Sequence, residues 1–141
     1  MKRNLVILGA FFILFTSFRF GGDKKQVNFI DNDWQTAKAS SKSEDKPIFA
    51  FIYTSHCLLS SKMNDEIFSR EEVINELNNK FICVMLDADA LQNNIRITAW
   101  GANGTPTYVF LDKNRKLTVK QSGFKDSKEF ILMAEDALKK Y

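Results

Sequence analysis

Residues 48–63 read Ile48-Phe49-Ala50-Phe51-Ile52-Tyr53-Thr54-Ser55-His56-Cys57-Leu58-Leu59-Ser60-Ser61-Lys62-Met63. The first six are apolar without interruption, the pattern of a strand buried on both faces. Three polar residues and a cysteine follow. Beyond Cys57, apolar residues fall at Leu59, Met63 and Ile67, a four-residue spacing that predicts a helix with those side chains turned inward. A thiol at such a strand-to-helix junction faces the free N–H groups and dipole of a helix start, which favour the thiolate. The alternative is an inert packed cysteine. The polar run Thr54-Ser55-His56 argues for exposure and hence for reactivity.

Working outward, the same alternation continues on both sides. Val27–Ile30 is a short apolar piece that reads as a strand. Asn32 with Gln35 forms a weak capping box for a helix from Trp34 to about Ser43, which Lys46-Pro47 ends. Downstream, Ser69 with Glu72 predicts a second cap, and Val73, Ile74 and Leu77 continue that helix. Phe81–Leu86 is a second continuous apolar strand. Leu91, Ile95 and Ala99 mark a short helix stopped near Gly101. Thr107–Leu111 is a third buried strand, followed by a turn at 112–115 and a half-exposed hairpin partner at 117–119. Asp126 caps a last helix with Glu129 at the third position, its stripe being Phe130, Ala134, Ala137 and Leu138. The order β-α-β-α-β-α-β-β-α predicts an α/β three-layer sandwich around a mixed sheet, the last two strands antiparallel.

The 141 residues suffice for one domain. Apolar residues at 45% and charged residues at 26% describe an ordinary globular chain, and two cysteines cannot staple a disulfide scaffold. The net charge of +3 misleads. Of the 20 basic residues three, Lys2, Arg3 and Arg19, lie in the first twenty positions, which hold no acid; the other 17 balance the 17 acidic residues. No basic stripe for nucleic acid is left.

Lys2 and Arg3 precede an apolar run from Leu5 to Phe15, short for a membrane span. Residues 1–22 therefore read as a signal peptide or an uncleaved N-terminal membrane anchor, and 23–141 as the domain. No Ala-x-Ala-like cleavage site follows the run, so both readings stand. Either one places the domain in the periplasm or on the outer face of the cytoplasmic membrane, where disulfides persist.

From Trp34 to Leu138 the chain resembles the thioredoxin superfamily, and within it the exported thioredoxin-like proteins of bacteria. The landmarks stand in order: Lys46-Pro47-Ile48-Phe49, the Tyr53–Met63 stretch around Cys57, Ile67-Phe68-Ser69, Leu86-Asp87-Ala88-Asp89, Trp100–Thr107, Phe110-Leu111-Asp112, and Gly123-Phe124 before the closing helix. The resemblance implies a thioredoxin-like fold with Cys57 as nucleophile. It also implies a cis-proline at Pro106 facing that thiol, with Thr105 offering backbone groups to an extended substrate peptide.

The chain departs from the family at three places. The second cysteine of the Cys-x-x-Cys motif is Ser60 here, which cannot exchange sulfur, so a lone domain cannot carry two-electron reduction. Ser60 either stabilises the Cys57 thiolate by hydrogen bonding or marks a lost activity. The family's buried acid, six residues before the cysteine, is Phe51. The tryptophan before the cysteine is His56, which reads either as a cation lowering the thiol pKa or as a solvated loop residue.

Leu58, beside the thiol, reads as an apolar contact for unfolded chains or as a rim residue without consequence. Cys83, inside an apolar strand, reads as core packing and a poor resolving partner. One histidine and two cysteines cannot assemble a metal site, and no cofactor is implied. The expected function is monothiol thiol–disulfide exchange in the cell envelope. Its partners would be client proteins bearing thiols or disulfides and a small-thiol or redox partner. The alternative is a non-catalytic peptide-binding or chaperone-like module.

Overall fold

The structure, a computed structural model, describes residues 25–140; the expectation for residues 1–22 lies outside them. Twelve elements follow in chain order. They are β1 (Phe29–Asp31), α1 (Trp34–Glu44), β2 (Ile48–Tyr53), α2 (Leu58–Lys62), a π-helical turn (Met63–Ile67), α3 (Glu71–Lys80) and β3 (Ile82–Asp87). Then come a 3₁₀ turn (Leu91–Asn93), α4 (Asn94–Ala99), β4 (Thr107–Leu111), β5 (Leu117–Ser122) and α5 (Ser127–Leu138). The five strands form one sheet in the order β1-β3-β2-β4-β5. β1, β3 and β2 run parallel, and β4 and β5 are antiparallel to their neighbours. This is the mixed α/β sandwich expected from the order of elements.

β2 lies at the centre, and its residues alternate between two apolar layers. Phe49 and Phe51 join Phe68, Val73, Leu77, Cys83, Tyr108, Phe110 and Phe130 on the face covered by α3 and α5. Ile48, Ala50 and Ile52 join Ala37, Val84, Leu86, Ile97 and Val109 on the face covered by α1 and α4. The first layer is largely aromatic. Phe49 stacks on Phe110 at 4.8 Å between ring centroids, and Phe68 meets Phe51 edge-on at 4.9 Å. Such offset and edge contacts add to the burial of apolar area.

Several local expectations are corrected. β1 begins at Phe29 rather than Val27. The cap of α1 is Asp33, whose carboxylate accepts from Thr36 N at 3.0 Å, while Asn32 sits at φ 50° and bonds elsewhere. Ser69 does not cap α3. Its hydroxyl donates back to Asp65 O at 2.7 Å, closing the π turn, and Arg70 precedes the helix without a side-chain cap. Leu91 and Ile95 are 82% and 89% exposed, and Ile97 is the inward residue of α4, so that helix exists with its apolar spacing on the solvent side. The Asp126–Glu129 capping box is present as expected.

Among the described residues no helix is long and apolar enough to cross a membrane. Phe130 and Leu132 test the layer assignment on one helix. Phe130 is fully buried and Leu132 is mostly exposed. Phe130→Ala is expected to destabilise by ~3–5 kcal/mol through lost transfer energy and a cavity. Leu132→Ala is expected to stay within ~0.5 kcal/mol. Urea unfolding midpoints at constant slope measure both.

Candidate active site

β2 ends at Tyr53, and its chain turns through Thr54, Ser55 and His56 before α2 starts at Leu58. Cys57 N donates to Thr54 O at 3.2 Å, and Cys57 O accepts from Ser61 N at 3.1 Å, so Cys57 is the residue that caps the helix. β4 enters beside it. The Thr105–Pro106 bond is cis, and Cys57 Sγ donates to Thr105 O at 3.3 Å. The structure thus gathers Cys57, Ser60, Thr105 and Pro106 at one end of the sheet, with His56 and Leu58 on the exposed rim.

Ser60 lies one turn along α2 and is turned inward, 3% exposed, and its Oγ has no protein hydrogen-bond partner among the described residues. Leu59, expected to pack inward, is exposed instead. Ser60 in α2 and Met63 and Ile67 in the π turn that follows face the core.

The Ser60 hydroxyl beside it, and next the Thr105 hydroxyl, hold the Cys57 thiol below its ordinary value. Partial burial opposes this, and the backbone N–H groups of Ser60 and Leu59 add smaller support. In the neutral thiol the S–H points to Thr105 O. On ionisation sulfur becomes an acceptor, and the unpartnered Ser60 hydroxyl is placed to donate to it.

Two partners were not legible in the sequence. Thr54, the first of the polar residues before Cys57, is buried, its Oγ1 3.3 Å from Thr105 Oγ1, tying the exit of β2 to the cis loop. Asp89 Oδ2 lies 3.4 Å from His56 Nδ1, an exposed pair joining the loops after β2 and β3. The first follows from the inward direction of the strand end, and the second from loop packing; neither has a local sequence signal.

Phe51, where the resemblance places an acid, is 1% exposed and stacks on Tyr53 and Tyr108. The floor beneath the site is therefore apolar. Tyr108 donates to Gly123 O at 2.8 Å, and burial, then the charge of a Cys57 thiolate, push its phenol far above the ordinary range. Cys83 is buried, and burial pushes its thiol far up as well. It stands opposite Phe49, four residues before the end of β2, which sets it back by about 13 Å along the strand.

Leu58 is 80% exposed next to the thiol. A groove of about 350 Å³ lies between the loop after β2 and the loop before β4, lined among others by Thr54, His56, Ala102, Gly104 and Thr105. Among the described residues no group of three His, Cys, Asp or Glu side chains is placed to hold a metal ion.

The model of the thioredoxin-like domain family matches residues 34–138. This chain belongs to that family. A thioredoxin from Thermus thermophilus superposes with a TM-score of 0.70 at 18% identity, covering 78% of this chain and 87% of that one. A Bacteroides thetaiotaomicron protein described as a putative disulphide-isomerase gives 0.72 at 17% identity over 82% and 96% of the two chains. A protein named DsbH oxidoreductase gives 0.69 at 20% identity over 86% and 92%. These three share the fold. By sequence, mouse spermatogenesis-associated protein 20 is 41% identical over 61 residues, 40% of this chain. The chain spans only 8% of that relative's length.

Iodoacetamide is expected to label the native protein once, at Cys57, and to reach Cys83 only after unfolding. The rate of Cys57 alkylation should have a pH midpoint below the free-thiol value of ~8.5. Ser60→Ala removes a hydrogen bond to a charged group and should raise that midpoint by about one unit. Labelled-peptide mass spectrometry across pH measures both.

Proposed function

We propose that the chain is a monothiol thiol–disulfide exchange protein of the cell envelope, with Cys57 as its nucleophile. The observation that carries this reading is the accessible thiol at the start of α2, held beside the cis Thr105–Pro106 bond and backed by the inward Ser60 hydroxyl. An inert cysteine needs neither a depressed pKa nor a groove.

In the proposed reaction the Cys57 thiolate attacks one sulfur of a client disulfide. The S–S bond of the client breaks, its distal sulfur leaves as a thiolate, and Cys57 is joined to the client in a mixed disulfide. A second thiol, from the client or from a small molecule, then attacks the client sulfur and expels Cys57 as thiolate. The two steps conserve the number of disulfides, so the net chemistry is isomerisation or transfer. Ser60 and Thr105 stabilise the sulfur anion as it leaves. The groove beside Thr105 receives the client chain in extended form, and Leu58 gives it an apolar contact.

Envelope location is supported by the Lys2-Arg3 start and the Leu5–Phe15 run. An alkaline phosphatase fusion after Tyr141 should be active outside the cytoplasm, and an inactive but well-expressed fusion would count against export.

Ser60→Cys tests the mechanism. It restores a resolving sulfur one helical turn from Cys57, and the variant should reduce insulin in the presence of a chemical recycling thiol. The wild type should show little turnover yet accumulate a mixed disulfide at Cys57. Cys57→Ala/Ser60→Cys is the control for Cys83. A variant that forms the 57–60 disulfide but never reduces insulin would favour the alternative, a peptide-binding module. That alternative draws its support from Phe51 and Ser60 standing where the redox members carry an acid and a sulfur.

A further inference from the structure

Thr54 is the first residue past β2, and its side chain is turned into the protein at 8% exposure. It meets the site twice. Its carbonyl accepts from Cys57 N at 3.2 Å, and its hydroxyl oxygen lies 3.3 Å from that of Thr105. That distance lets either threonine be the donor. Thr105 meets Cys57 in turn. Its carbonyl accepts from the thiol at 3.3 Å, and its hydroxyl is a hydrogen-bond partner of the sulfur. A chain of contacts thus runs from Thr54 through Thr105 to Cys57, and the Thr54 hydroxyl is the member that the proposed reaction does not use.

A threonine hydroxyl has one proton and two lone pairs. While Cys57 keeps its proton, the S–H points to Thr105 O, and the Thr105 hydroxyl is free to donate to Thr54. Once the sulfur is ionised it has no proton to give, and the Thr105 carbonyl oxygen faces an anion. The Thr105 hydroxyl proton then stabilises the sulfur only if it points there. If Thr105 donates to Thr54, the sulfur goes without that donor. If Thr54 donates to Thr105, it fills a lone pair of Thr105 Oγ1 and leaves the proton for Cys57.

We propose that Thr54 is a positioning residue for the thiol chemistry: its hydroxyl donates to Thr105 Oγ1 and so turns the Thr105 hydroxyl proton toward the Cys57 thiolate. The inference rests on the proposed role of Cys57 as nucleophile. Linked hydroxyls polarise one another, which strengthens the bond at the anion. The threonine pair at 3.3 Å is longer than the usual hydroxyl contact of about 2.7–2.8 Å, so the effect is modest in size. The charged or titratable groups around the thiol are the exposed His56–Asp89 pair, Tyr108 on β4 and Tyr53 at the end of β2. Both phenols are shifted upward, Tyr53 chiefly by partial burial, and stay neutral near pH 7.

The experiment measures iodoacetamide alkylation of Cys57 against pH, read by labelled-peptide mass spectrometry, with circular dichroism to confirm folding. The proteins are the wild type, Thr54→Val, Thr54→Ser, Thr105→Val and Thr54→Val/Thr105→Val. Valine keeps the branched shape and removes the hydroxyl; serine keeps the hydroxyl and removes the methyl group. Thr54→Ala is measured alongside as a second deletion that adds no methyl group to the buried site.

Thr54→Val and Thr54→Ala are expected to lower the thiolate fraction below the midpoint by about twofold to fivefold, a rise of roughly 0.3–0.7 pH unit. Thr54→Ser should recover most of this. In the Thr105→Val background the same deletion should give no further rise, so the cycle shows full coupling through Thr105. A midpoint that falls or stays fixed in both deletions overturns the proposal. An equal rise with and without the Thr105 hydroxyl also overturns it, because Thr54 would then act on the backbone or directly on the sulfur. A wild-type midpoint equal to that of a free thiol sinks the role of Cys57 and this inference together, whereas a low wild-type midpoint unmoved by the deletions sinks this inference alone.

Discussion

Ile52 stands opposite Thr107 in the antiparallel pairing of β2 with β4, and the geometry of the site depends on that register. It brings the chain leaving β2 alongside the chain entering β4. Cys57, five residues past Ile52, then meets Thr105, two residues before Thr107, with Sγ 3.3 Å from its carbonyl. Slipping the pairing by one residue would exchange the two faces of β2 and put Phe49 and Phe51 into the layer of Ala37 and Ile97. Both faces are apolar but differ in volume: one is built of stacked rings and the other of small and branched aliphatic groups. Close packing penalises that exchange. The approach of the two loops is thus held by side chains deep in the sheet.

The loops themselves are tied by short polar contacts. Thr54 pairs with Thr105 across the junction, and Thr107 Oγ1 donates to Gly104 O at 2.6 Å and lies 2.7 Å from Ser122 Oγ. On the other side, Asn93 Nδ2 donates to Asn32 Oδ1 and to Asp87 O, and Asp87 N donates to the same Asn32 oxygen. Buried polar groups of this kind cost stability if left unpaired, so each pairing favours one loop arrangement over its neighbours. Asn32 at φ 50° shows what that arrangement asks of the backbone, a left-handed conformation that asparagine tolerates better than most residues.

How much of this was legible follows from the range of each interaction. Continuous apolar runs at 48–53, 81–86 and 107–111 declared central strands, because burial on both faces removes polar residues from a strand whatever its partner. The cap at Asp126 was legible because it is closed within four residues. The caps proposed at Asn32 and Ser69 failed because residues of the right type found other partners, Asp87 and Asn93 for the first and Asp65 O for the second. Leu59 was misplaced because positions three and four residues before Met63 both neighbour it on a helix, and the spacing alone does not say which is turned in; Ser60 is, and Leu59 is exposed. Thr54 and Asp89 act across distances of sequence that no local pattern spans.

The replacement of sulfur by oxygen at position 60 and of acid by ring at Phe51 changes what the site stabilises. With an apolar floor, support for the sulfur anion comes from hydroxyl and backbone donors. A donor-stabilised thiolate is a good leaving group and, because nucleophilicity falls with pKa, a somewhat tempered attacker. Ser60 also covers the side of Cys57 that faces the protein interior. An incoming thiol must approach in line with the S–S bond it breaks. In the proposed mixed disulfide the client sulfur would sit on the solvent side of Cys57, while Ser60, 3% exposed, backs its inner side. In the proposed reaction, attack at the client sulfur expels Cys57 and passes the client on. In a dithiol enzyme the residue at position 60 is itself the attacking sulfur and releases the client reduced. On the proposed reading a hydroxyl there leaves handing-on as the exit from the mixed disulfide, and the donors that favour the Cys57 thiolate at the start of the cycle would stabilise it again at the end.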